Sequence, residues 1–147
     1  MRVCGVELKG GEAIISLLSY EGETYNVPDC RQKSFAISNS ESTETMRDFH
    51  FAFGKLIEDY RVDEIVIIQR DQKGKGAGSV TSFKLEALIQ ILPVAVSIVS
   101  PVAIKEQLKR NPPQVDFEGL DLKRFQKSAF EAAYAFHNIT IYKTDEE

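Results

Sequence analysis

The chain has 147 residues, of which 43% are hydrophobic and 27% charged, and its formal net charge at pH 7 is −4. These values are typical of a single globular domain over residues 1–147, and they exclude a disordered, fibrous or low-complexity chain. The first 20 residues lack the pattern of a secretory leader and no apolar run could span a bilayer, so we expect a cytoplasmic protein without membrane contact.

The chain begins with a pattern typical of antiparallel strands. Residues 3–8 and 13–18 have strand composition, and Gly10 and Gly11 between them supply the positive φ angles of a tight hairpin. A third strand is predicted over residues 30–37. The first part of the domain is therefore expected to be an antiparallel sheet of three strands.

Helices and strands alternate over the rest of the chain. The run over 64–69 is rich in β-branched residues and suits a strand covered on both faces, and serine or proline marks several helix starts. The predicted elements are, in chain order, a helix over 43–60, a strand over 64–69, a helix capped by Ser79, a strand over 94–99, a helix from Pro101 that ends before Asn111, and a last helix carrying Leu122, Phe125, Ala129, Ala132, Ala133 and Phe136 on its core side.

This order predicts an α/β domain with a mixed five-stranded sheet, three antiparallel strands followed by two parallel ones, flanked by helices. The tail over 139–147 is expected either to fray or to add a short strand. Sequential elements of this kind leave little choice of topology, because crossovers between parallel strands are right-handed.

Charge is unevenly distributed along the chain. Residues 70–127 hold 10 basic and 6 acidic side chains, whereas residues 1–69 hold 7 basic and 12 acidic ones. The basic excess is either a solvated face or a surface for phosphate groups. The loop over 73–78, Lys-Gly-Lys-Gly-Ala-Gly, lacks the ending of a P-loop, but it brings two lysines and main-chain N–H groups to a helix start. It is either a connector or a phosphate contact.

Four segments carry a family resemblance. They are residues 3–8 with Glu7 late in the first strand, residues 65–70 with Gln69 at the strand end, residues 98–105, and residues 128–135 with Glu131. In this order they resemble the ribonuclease H-like superfamily, and within it the RuvC-type Holliday-junction resolvases. The opening Val-Cys-Gly-Val-Glu-Leu-Lys also resembles a small bacterial family of uncharacterised proteins.

The resemblance implies a site built for two-metal-ion hydrolysis of phosphodiesters, in which carboxylates hold two Mg²⁺ ions. It assigns the acidic positions to Glu7, Gln69, Ser128 and Glu131. Only Glu7 and Glu131 are acidic, so the charge that faces the cations falls by half, and we expect one weakly held Mg²⁺ or Mn²⁺, or none. Asp71 is a candidate replacement carboxylate.

The same resemblance places several basic side chains around the acidic site. The candidate nucleic-acid-binding residues are Arg70, Lys73, Lys75 and Lys105. Two functions follow as hypotheses: a nucleic-acid-binding module with a degenerate metal site, or a Mg²⁺- or Mn²⁺-dependent nuclease acting on structured DNA or RNA. A homodimer is one assembly that the resemblance allows.

Overall fold

The computed structural model describes residues 1–114 and 116–143. The strands are β1 (Arg2–Lys9), β2 (Glu12–Glu21), β3 (Thr24–Asn26), β4 (Ser34–Ala36), β5 (Glu64–Ile68) and β6 (Ala95–Val99). The helices are α1 (Thr43–Asp59), α2 (Val80–Gln90), α3 (Pro101–Arg110) and α4 (Lys127–Ile141), with two short 3-10 turns at Phe117–Gly119 and Arg124–Gln126. None of the helices in these ranges combines the length and apolar character needed to cross a membrane.

The strands form one mixed sheet in the order β3-β2-β1-β5-β6, with β4 also paired to β2. The pairs β1–β2, β2–β3 and β2–β4 are antiparallel, whereas β1–β5 and β5–β6 are parallel. The predicted fold class is therefore confirmed.

The third predicted strand, over 30–37, was wrong in its bounds. Two three-residue strands take its place: β3 pairs with residues 19–21 of β2, and β4 pairs with residues 12–14. The chain leaves the sheet between them, where Pro28 has no N–H to donate and neighbouring polar side chains are exposed. Contact with β2 resumes where Ile15 N–H donates to the Lys33 carbonyl.

The sheet is covered on both faces. One face packs against α1 and α2, and the other against α3 and α4. Alternation along β1 divides its side chains between the two faces, with Cys4, Val6 and Leu8 in the first core and Val3 in the second. Because β1 lies between β2 and β5, it is the central strand of the fold.

Three helices begin at a serine cap. The hydroxyls of Ser42, Ser79 and Ser100 each accept a hydrogen bond from the main-chain N–H three residues later. The predicted starts at Ser79 and Pro101 are confirmed. These caps are local signals, which explains why the sequence located them well.

The last helix differs from its prediction at both ends. It starts at Lys127, so Leu122 and Phe125 precede it, and the Phe125 side chain is 49% exposed rather than part of the core. A 3-10 turn occupies Arg124–Gln126 because Gln126 turns back to accept a bond from Lys123 N–H. At its other end the helix continues to Ile141, so residues 139–141 are helical; residues 144–147 of the predicted tail lie outside the described residues.

Candidate functional site

The carboxyl ends of β1, β5 and β6 meet at one edge of the sheet, because these three strands are parallel to one another. Helix α2 follows β5 through the loop over 69–79, and α3 follows β6 directly after Ser100. Both helices therefore begin at this edge. In open α/β sheets this is the edge where ligands bind.

Helix α4 also begins at this edge. Ala129 and Ala133 lie beside Gly5 of β1, and further along the helix His137 Nε2–H donates to the Leu18 carbonyl at 2.8 Å. Since Leu18 is paired with Val3, α4 runs antiparallel to β1. Its first turn consequently lies at the carboxyl end of β1.

Main-chain atoms make the contact between α4 and β1. A Cβ on Gly5 would lie 1.9 Å from the Ala129 carbonyl oxygen and 3.1 Å from the Ala133 nitrogen, so no larger residue fits there. Glycine inside a strand marks a close approach of another backbone, and the apolar run interrupted by Gly5 is the sequence signal for it. This contact fixes the start of α4 relative to β1.

Glu7 lies near the carboxyl end of β1 and is half-buried. By strand alternation its side chain shares the α4 face with Val3 and Gly5. Its cross-strand neighbour on β2 is Ile14. The first predicted acidic position thus lies on the face and at the end of β1 where α4 begins.

The neighbouring strand presents Ile68 to this face. Val6 is paired with Ile67, so Glu7 lies level with Ile68, whose side chain packs against the core shared with α4. Gln69 follows the last residue of β5; its N–H donates to the Val99 carbonyl at 2.9 Å, and its side chain is exposed. An aliphatic side chain therefore stands beside Glu7 on β5, and the Gln69 amide lies one residue beyond.

Ser128 and Glu131 lie on the first two turns of α4, and both are half-buried. Ser128 immediately precedes Ala129, which touches Gly5, so it is at the level of the Glu7 end of β1. Glu131 is two residues from each of the two contacting alanines, which places it on the side of the helix turned away from Gly5. The fold brings Glu7 and the start of α4 to one edge, with Glu131 about one turn farther along α4 than Ser128.

These donors do not fit a pair of divalent cations. The set consists of two carboxylates, an amide that follows the strand, and a hydroxyl, while the position level with Glu7 is aliphatic. Within residues 1–114 and 116–143, no three His, Cys, Asp or Glu side chains gather in a group that could hold a metal. Two Mg²⁺ ions require several anionic oxygens in close geometry.

Arg70 is held inside the protein by α2. Its Nη1 donates to Glu86 Oε1 and to the Ile68 carbonyl, both at 3.3 Å, and its guanidinium lies 4.6 Å from the centre of the Phe83 ring. The Arg70 and Glu86 side chains are only 13% and 15% exposed. Nε and Nη2 of Arg70 are buried without a hydrogen-bond partner among the described residues. This arrangement ties the end of β5 to α2.

The loop that follows Arg70 is closed on itself. Gly78 N–H donates to the Asp71 carbonyl at 2.9 Å, and Ala77 N–H donates to the Gly74 carbonyl at 3.2 Å. Gly74 and Gly76 have φ angles of 86° and 84°, which L side chains rarely adopt. The loop is thus a defined turn between β5 and α2.

Basic side chains are exposed along this edge. Lys73 and Lys75 project from the loop, Lys105 lies on α3, and Lys127 is the first residue of α4. The N-terminal ends of α2, α3 and α4 add the positive pole of the helix dipole. The edge therefore combines lysines with three helix starts, and Lys127 was not among the predicted nucleic-acid-binding residues.

Several solved structures have a similar fold. The structure of RuvC from Thermus thermophilus matches with a TM-score of 0.77 at 13% identity and covers 98% of both chains. RuvC from the same organism in complex with Holliday junction substrate gives 0.74 at 11% identity, covering 96% of this chain and 95% of that chain. The yeast mitochondrial Holliday junction resolvase Ydc2 gives 0.54 at 12% identity, covering 92% and 75%. The chain therefore has a ribonuclease H-like fold.

Comparison with models of protein families gives one match. The model of a family described as "Protein of unknown function (DUF3010)" matches residues 1–136. A comparison with curated proteins gave no match.

Proposed function

Since the chain belongs to the family described as "Protein of unknown function (DUF3010)", we propose from its own residues that it is a nucleic-acid-binding module with a degenerate metal site. The phosphate-contacting surface is the edge formed by the carboxyl ends of β1, β5 and β6. We call this surface the lysine edge and define it by Lys73, Lys75, Lys105 and Lys127.

The observation that carries the proposal is the convergence of these lysines with three helix starts. Phosphate groups are bound by lysine and by main-chain N–H groups at helix N-termini, and such contacts are independent of base sequence. The fold is compatible with this use, since Thermus thermophilus RuvC is solved in complex with a Holliday junction substrate. A net charge of −4 does not oppose local binding, because residues 70–127 carry an excess of basic side chains.

The loop has the central part in this proposal. Its closure by the Gly78 to Asp71 bond presents Lys73 and Lys75 on a defined turn, so little ordering entropy is lost when phosphate binds. Arg70 lies against Gly78 at the end of this loop and is held there by Glu86 of α2. We therefore assign phosphate contact to Lys73 and Lys75 and support of the loop to Arg70.

A second candidate function is a Mg²⁺- or Mn²⁺-dependent nuclease. Glu7 and Glu131 are half-buried, and neither carboxylate has a hydrogen bond or an ion pair within residues 1–114 and 116–143. Half-buried carboxylates without a partner favour a cation. A single cation held by two carboxylates binds more weakly than two cations held by four carboxylates. The aliphatic side chain of Ile68 supplies no ligand.

The binding proposal is tested by fluorescence anisotropy with labelled single-stranded, duplex and four-way-junction DNA over a range of salt concentrations. The test variant is Lys73→Ala/Lys75→Ala. If each lysine neutralises one phosphate of duplex DNA, the slope of log K against log salt falls by about 1.8, so an about fourfold rise in salt weakens wild type about 12-fold more than the variant.

The matched control is Lys55→Ala/Lys109→Ala, which removes the same charge from exposed positions late in α1 and α3, away from the lysine edge. We expect its salt slope to stay within about 0.5 of the wild-type value. Equal slopes for the two double variants, or no binding by wild type at low salt, would refute the proposal. The nuclease alternative is tested in parallel: cleavage in Mg²⁺ or Mn²⁺ that is lost in Glu7→Ala/Glu131→Ala supports it.

A further inference from the structure

The two edges of the sheet differ in how they are protected. On one side, β2 is covered by the three-residue strands β3 and β4 and by the irregular chain between them. On the other side, β6 is the last strand and, within the described part of the chain, β5 is its only hydrogen-bonded neighbour. The outer edge of β6 is therefore open.

The main-chain groups that face outward follow from the pairing with β5. The Val99 carbonyl accepts the Gln69 N–H, so Val99 and, by alternation, Ser97 and Ala95 direct their main-chain polar groups toward β5. Val96 and Ile98 consequently direct their N–H and C=O groups away from the sheet. Two donors and two acceptors are left on the open edge.

Proteins commonly protect an open edge with charge, proline or a bulge. The sequence of β6, Ala-Val-Ser-Ile-Val, contains no charged residue and no proline, and its register with β5 runs through five consecutive pairs without a bulge. Ile98 is 38% exposed. The strand has no feature that would discourage another strand from pairing with it.

We propose that β6 pairs antiparallel with β6 of a second copy of this chain, with a two-fold axis through Ser97. The outward-facing residues Val96 and Ile98 lie symmetrically about Ser97, so this register places Val96 opposite Ile98 of the second copy. Each such pair exchanges two N–H···O bonds, which gives four bonds in all. The result is a continuous sheet through both copies.

A second copy fits this edge better than a charged partner does. Self-pairing places no like charges opposite one another, since the strand carries none, and it pairs β-branched Val96 with β-branched Ile98. A charged segment would find no complementary side chain on the strand. Closure by two-fold symmetry also occupies the open edge of both copies, so the assembly ends at a dimer.

The test measures the mass of the full chain by sedimentation over a wide range of protein concentration. We expect wild type to shift from monomer to dimer as concentration rises. Ile98→Lys places two ammonium groups at diagonal positions across the axis and should keep the chain monomeric. Phe51→Lys, which makes the same change at a 73% exposed site on α1, should dimerise as wild type does. Circular dichroism and thermal melting report whether each variant is folded.

A cysteine pair tests the register independently of Ile98. In a Cys30→Ser background, Ser97→Cys should form a covalent dimer on mild oxidation, because residues opposite each other at the axis have Cα atoms about 4.5 Å apart. Ala95→Cys should not, because its partner is then Val99 of the second copy. The proposal is overturned if wild type stays monomeric at every concentration, if folded Ile98→Lys dimerises, or if Ala95→Cys cross-links as readily as Ser97→Cys.

Discussion

Replacing Gly5 with alanine should disrupt the contact between α4 and β1. The added methyl group would lie 1.9 Å from the Ala129 carbonyl oxygen and 2.9 Å from its carbonyl carbon. Ordinary contact requires about 3.4 Å, so the helix must move away by about 1.5 Å, since both partners are main-chain atoms and no side-chain rotation relieves the overlap.

The loss in free energy of unfolding depends on the contacts that α4 makes. A side-chain overlap in a core costs about 1–3 kcal/mol, and here a displaced helix would also loosen the packing of its buried alanines and the bond from His137 to Leu18. We therefore expect Gly5→Ala to lower the free energy of unfolding by about 3–5 kcal/mol, a large part of the stability of an ordinary domain.

Urea denaturation followed by circular dichroism measures this difference. The matched control is Gly119→Ala, because a Cβ at Gly119 meets nothing within 4 Å and its φ angle is not positive. We expect the control to remain within about 0.5 kcal/mol of wild type. A loss below about 1 kcal/mol in Gly5→Ala would show that α4 does not rest on β1 as described.

Two further predictions concern buried polar groups. Arg70→Ala and Glu86→Ala should each lower the free energy of unfolding by about 3 kcal/mol, because the remaining partner stays buried and unpaired. The double variant should lose clearly less than the sum of the two single losses. Additive losses in urea denaturation would contradict the pairing of the two side chains. Burial lowers the pKa of His137 below its ordinary value of 6.5, despite the bond to Leu18. The unfolded chain therefore binds a proton at His137 at a higher pH than the folded protein does. The free energy of unfolding should decrease as the pH is lowered from about 7 to 5, by at most about 1.4 kcal/mol per pH unit. In melting curves of His137→Gln, the decrease in stability between pH 7 and pH 5 that His137 causes should be absent. A pH dependence equal to that of wild type would contradict this role of His137.

The sequence predicted those parts of the fold that depend on local signals. The serine caps at Ser79 and Ser100 and the β-branched run over 64–69 have short-range causes, and the structure confirmed them. The third strand failed because pairing with β2 is decided by contacts distant in sequence. Phe125 was assigned to the last helix because helical spacing cannot reveal that a 3-10 turn over Arg124–Gln126, held by the Gln126 side chain, precedes the helix.

The members of the candidate site depend on contacts that are distant in sequence. The resemblance assigned Glu7 and Glu131 to one site, but the alignment of β5 with β1 was not visible in the sequence. That alignment makes Ile68 the neighbour of Glu7. Arg70 could not be distinguished from the exposed lysines, because its partner Glu86 lies 16 residues away on another element.

The close contact of α4 with β1 also bears on how this protein can change over evolutionary time. The contact is made by Gly5 and by the main chain at Ala129 and Ala133, so the side chains of Glu7 and Glu131 take no part in it. Substitutions at Glu7 and Glu131 can therefore accumulate without moving the helix. The packing of α4 on β1 is thus independent of the side chains at the candidate site.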